Sequence, residues 1–95
     1  MADLPLIVSI PWYRRGDYEA LLALFSDSEK LPRTFDAWLL RAEGFEKQAK
    51  SAGRATARIY LRPMPFAAWC KERDLSPDGH ARRVFASEGV GDLNR

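Results

Sequence analysis

Ninety-five residues, 46% of them hydrophobic and 12% aromatic, suffice for one small core and argue against a second domain. The 15 basic and 13 acidic side chains are interspersed for a net charge of +2, which excludes the strong overall field of a dedicated nucleic-acid or membrane-surface protein. Cys70 is the sole cysteine, which excludes an internal disulfide framework and any multi-cysteine metal site, and makes a reducing, cytoplasmic setting the expectation.

Leu4, Leu6, Val8 and Ile10 share one parity, so residues 4–10 read as a short strand, and Pro5 and Pro11 at its ends mark it as an edge strand. The run is too short to span a bilayer, is preceded by Asp3 and lacks a small-residue cleavage site; no export or membrane segment is expected. Asp17 suits the N-cap of a first helix, where Tyr18, Leu21, Leu22 and Phe25 fall on one face, and Ser26, Asp27 and Ser28 end it.

Thr34 can cap a longer helix whose stripe is Phe35, Trp38, Ala42, Phe45, Ala49 and Ala52. Glu43 with Lys47 and Glu46 with Lys50 are pairs four residues apart, which assigns that side to water. Gly53 supplies a left-handed stop. The best strand pattern in the chain follows. Ala57, Ile59 and Leu61 alternate with Thr56, Arg58, Tyr60 and Arg62, the period of a strand with one apolar face. Pro63 and Pro65 end it and open a third helix with Phe66, Trp69 and Cys70 on one side. Ser76, Pro77 and Asp78 signal a final helix over residues 77–87, with Ala81, Val84 and Phe85 inward and Arg82 and Arg83 outward. A frayed tail is expected over residues 89–95.

Three groups of side chains are candidates for function. Arg58 and Arg62 start about 13 Å apart with Tyr60 between them, which suits an extended or flat anionic partner, and arginine-plus-aromatic strands occur in binders of single-stranded nucleic acid. A solvated face, or one covered by arginine stems, explains the same alternation. Trp12, Arg14 and Arg15 sit where a loop enters a helix, a common place for binding residues, although Trp12 and Tyr13 also suit a lid over the core. Cys70 follows Trp69 on an apolar helical face, the setting of a packed thiol. His80, the sole histidine, has Asp78 and Ser76 close by, but spacing within one helix start assembles no triad. No zinc-ligand spacing, glycine-rich phosphate loop or nucleophile elbow is present, so no metal or cofactor is expected.

The opening Ile10-Pro11-Trp12-Tyr13-Arg14-Arg15 with Asp17-Tyr18, the later Asp36-Ala37-Trp38-Leu39 and Phe66-Ala67-Ala68-Trp69-Cys70, and Ala81-Arg82-Arg83-Val84-Phe85-Ala86 together resemble a family of short uncharacterised bacterial proteins. The resemblance implies a bacterial cytoplasmic origin and a self-contained domain, and it transfers no catalytic residue.

The expected fold is a single α+β domain in which about four helices pack on a minimal two-stranded antiparallel sheet, because a descending and an ascending helix would return the chain running down. Two strands make a marginal sheet, so completion by a second copy pairing edge to edge in a symmetric dimer is expected. The expected function is that of a non-enzymatic, self-associating protein-interaction module. Binding of single-stranded nucleic acid or another polyanion through the arginines is the first alternative, and a small enzyme using Cys70 or His80 the second.

Overall fold

The computed structural model describes the backbone of residues 7–93 and the side chains of residues 7–91. Leu4, Pro5 and Leu6, assigned above to the first strand, lie outside the described residues. β1 (Ile7–Trp12) and β2 (Ala55–Tyr60) form a two-stranded sheet, with Ile7 opposite Ala55, Ile10 opposite Arg58 and Trp12 opposite Tyr60. The strands are parallel. The antiparallel sheet expected from the sequence is thereby corrected, and helix length supplies the reason.

Helix α1 (Tyr18–Leu24) has 7 residues and rises only about 10 Å. Its neighbours are α3 (Pro63–Glu72) and the short 3-10 turns at Arg15–Asp17 and Ser28–Lys30. Helix α2 (Phe35–Ser51) has 17 residues and rises about 25 Å, longer than the roughly 20 Å of a six-residue strand. The chain therefore returns along α2 alone, and β2 starts at the same end of the sheet as β1. Two strands joined by one spanning helix run parallel.

Residues opposite one another in a parallel sheet share a face. Val8, Ile10 and Trp12 accordingly stand with Thr56, Arg58 and Tyr60 on the side of α2, where Trp12 meets Trp38 edge-on with centroids 5.2 Å apart. Ile59 turns the other way, toward α4 (Gly79–Leu93). A Cβ on Gly89 would come within 2.6 Å of the Ile59 Cγ2, so α4 lies directly against β2. The face with arginines is thus covered by a helix, as is the apolar one. Between these layers Tyr13, Tyr18, Phe25, Trp38, Leu61 and Phe66 form the buried centre of the core.

The local signals for α2 hold: the Ala37 amide donates to Thr34 Oγ1 at 3.2 Å, and Gly53 takes a φ of 81° after the last turn. Its buried row differs from the expected stripe. Trp38, Ala42 and Glu46 point inward while Phe45 is 52% exposed. Steps of four residues overshoot a 3.6-residue turn by only about 40° each, so the row 38–42–46 stays on the sheet side, and Arg58 gives Glu46 a counter-charge there. The expectation that Glu46 faces water with Lys50 is corrected accordingly.

Two other caps differ from expectation. Asp17 makes no capping hydrogen bond and instead accepts from Arg62 Nε at 3.1 Å. The last helix begins at Gly79 rather than Pro77, with Asp78 Oδ1 accepting from the Ala81 amide at 3.0 Å in place of the expected Ser76 cap. It also continues to Leu93, so residues 89–93 of the expected frayed tail are helical; residues 94 and 95 lie outside the described residues.

Candidate functional site

Four arginines were singled out by sequence, and the fold gives each a neighbour. Arg58 donates through Nε and Nη2 to the two Glu46 carboxylate oxygens, both at 2.8 Å, and its guanidinium lies 3.9 Å from the centroid of the Trp12 ring. Hydrogen bonding from Arg58 holds the Glu46 carboxyl below its ordinary range, against the opposing effect of burial. Arg62 is tied to Asp17, and Arg15 donates to Asp36 at 2.7 Å while lying 4.7 Å from the Phe35 ring. Arg14 differs. Its guanidinium rests 5.3 Å from the Tyr60 ring centroid, and among the described residues no carboxylate lies within ion-pair distance of it.

Trp12 and Tyr13 are both buried, so they serve the core and Trp12 presents nothing to a partner. Burial also pushes the Tyr13 phenol up to about 12. Cys70 is 3% exposed, and burial raises its thiol pKa, the reverse of what activates a nucleophile. His80 is exposed, on a cleft of about 460 Å³ shared with Lys30, Asp78 and Arg83. Cys70 is buried on α3 whereas His80 stands exposed on α4.

Sequence reasoning missed the most heavily buried charge pair. Arg82, assigned to the outer side of the last helix, is only 8% exposed and donates to both Asp27 carboxylate oxygens, at 2.7 and 3.0 Å. The same carboxylate accepts from the Gly79 amide at 3.0 Å, so Asp27 fastens the loop after α1 to the first turn of α4. No local spacing announces a pair 55 residues apart.

Among the described residues the outer edge of β2 is open. The Leu61 amide donates to the Trp12 carbonyl at 2.9 Å, and strand geometry repeats every two residues, so the amides of Ile59 and Ala57 also point to β1. Those of Thr56, Arg58 and Tyr60 point away from it, to a side where the sheet has no further strand among the described residues. Pro11 shields the corresponding outward position of β1, whereas β2 has no proline. Tyr60 stands at the end of this edge with 49% of its surface exposed.

Beside that edge, on the α4 side, lies a groove of about 240 Å³ lined by Ile59, Tyr60, Trp69, Phe85 and Gly89. Of the two strands only β2 contributes to it, through Ile59 and Tyr60. Its rim is held by Glu88, which accepts from Trp69 Nε1 at 3.3 Å and from Arg73 Nη2 at 3.0 Å. Such a combination of free backbone ladder and flanking side-chain groove can accept an extended chain.

Among the described residues no group of three or more His, Cys, Asp or Glu side chains could hold a metal ion, and no helix is long and apolar enough to cross a membrane. No protein-family model, curated protein or solved structure matches the chain.

Proposed function

We propose that this protein is a non-enzymatic, cytoplasmic interaction module that works by accepting an added strand on the outer edge of β2. One observation carries the reading: a two-stranded sheet, covered by helices on both faces, leaves the Thr56, Arg58 and Tyr60 amides directed at an edge without a proline. Natural edges are usually blunted by proline, lysine or a bulge, and β2 carries none of the first two. Pairing with a second copy is the form of this activity open to the chain alone, and it would complete a sheet that is small by any standard.

The competing readings have less support. A polyanion track needs free cations, whereas Arg15, Arg58 and Arg62 each hold a carboxylate. Thiol catalysis needs an accessible thiolate, whereas Cys70 is buried with a raised pKa.

Amide exchange resolved by residue tests the proposal. In dilute protein, Thr56, Arg58 and Tyr60 should exchange fast while Ala57 and Ile59 are protected. At tens of micromolar, pairing between copies should slow the first set as the sedimentation coefficient rises. Equal protection of both sets at high dilution would mean that the edge is already covered within one chain, and the reading would fall.

A further inference from the structure

We infer that the preferred occupant of the β2 edge is an extended acidic peptide segment of another protein, carrying one apolar side chain for the groove between β2, α3 and α4. This rests on the strand-addition reading above and names its partner. Residues of an added strand project alternately to the two faces of the sheet. One set faces α4, where the Ile59, Trp69 and Phe85 groove of about 240 Å³ has room for a single aliphatic or aromatic side chain. Its immediate neighbours in the peptide then face the other way, beside Arg58, Tyr60 and Arg14.

Charge decides what those neighbours are. Arg14 lies against the exposed Tyr60 ring and holds no carboxylate among the described residues. Arg58 and Arg62 are each balanced by one acid, so Arg14 is what gives the α2 side of the edge its excess positive charge. A carboxylate in the added strand meets Arg14 at the exposed rim of the ladder, where charge governs the choice of partner more than the affinity. A second copy brings the opposite: its β2 offers no acid, its Arg58 and Arg62 come already balanced by Glu46 and Asp17, and its own Arg14 adds a further positive charge. Like charges across an interface oppose pairing. Backbone amides supply the affinity, the groove and Arg14 the selection, and the ligand pattern is acidic, apolar, acidic.

Fluorescence anisotropy with a labelled, end-blocked short peptide alternating glutamate and valine tests this, with a lysine-for-glutamate peptide as control. The wild-type protein should bind the acidic peptide saturably and the control at least about tenfold more weakly. Thr56→Pro removes an outward amide and should abolish binding, while Arg14→Glu, at an exposed side chain outside the core, should reverse the preference between the peptides. Circular dichroism checks that both variants fold, and the Arg14→Glu comparison stands if Thr56→Pro does not. Absence of peptide binding together with a wild-type dimer that Thr56→Pro dissolves would overturn the acidic-peptide inference and leave strand addition intact. Peptide binding indifferent to a folded Thr56→Pro, or neither peptide binding nor self-association, would overturn both.

Discussion

Helices α2 and α4 cover opposite faces of the same two strands, and they are fastened by different means. On the α2 side bulky groups bridge the layers: Glu46 clamps Arg58, Arg58 lies on Trp12, and Trp12 meets Trp38. On the α4 side small residues bring the layers together, with Ala81 and Ala86 fully buried and Gly89 against Ile59. Each helix still uses one arginine–carboxylate fork. That of α4 sits off the sheet, at the helix start, where Arg82 and Asp27 have 9% and 16% exposed side chains; in the other fork Arg58 is 40% exposed. The same fork therefore does different work. A buried guanidinium depends on its partner, and a partly exposed one can fall back on water.

The largest effect should come from the buried fork. Asp27→Ala leaves Arg82 buried without a counter-charge and should cost about 3 kcal/mol in urea denaturation. Both forks add a pH signature. Asp27, mainly through its hydrogen bond from Arg82, and Glu46, mainly through that from Arg58, have carboxyl pKa values lowered from 3.8 and 4.5 respectively. A depressed carboxyl pKa contributes stability above the unfolded value that is lost as pH falls through the folded one, so the urea midpoint should drop below about pH 4. In Asp27→Ala that acid slope should be shallower, and an unchanged slope would remove Asp27 from the account.

Glu46→Ala, with Arg58 partly solvated, should cost less, about 1 kcal/mol in the same measurement. Equal losses for the two variants would mean that burial does not separate the forks. The glycines make the smallest and cleanest contrast. A Cβ at Gly44 meets nothing within 4 Å, so Gly44→Ala should raise stability by up to about 1 kcal/mol, the helix-propensity gain. At Gly89 that gain is outweighed by contact with Ile59, and Gly89→Ala should lower stability by about 1 kcal/mol. Thermal melts of the pair should therefore shift in opposite directions.

Much of this division was legible in the sequence, but unevenly. The span of α2 follows from Thr34 and Gly53, and β2 from strict alternation over residues 55–60. The role of Tyr13 as a buried lid and of Cys70 as a packed thiol follow from residue type and neighbours. The candidate edge was half visible. Alternation identified Arg58, Tyr60 and Arg62, but it could not tell that Glu46 and Asp17 occupy two of them, nor that Arg14 comes to rest on Tyr60. Pro11 hinted at which strand would be shielded, while the groove beside β2 needs Trp69 and Phe85 from two later helices.

The chain by itself determined the elements, because caps, turns and periodicity are settled between residues a few positions apart. Only the tertiary structure decided that the strands are parallel, since that depends on α2 rather than α1 spanning the sheet. It also decided which charges are consumed. Asp27 and Arg82 are 55 residues apart, and Asp17 and Arg62 are 45 apart. A fork of that kind exists only once the packed layers bring both ends together, so the pattern of free and occupied arginines that marks the β2 edge is a property of the fold.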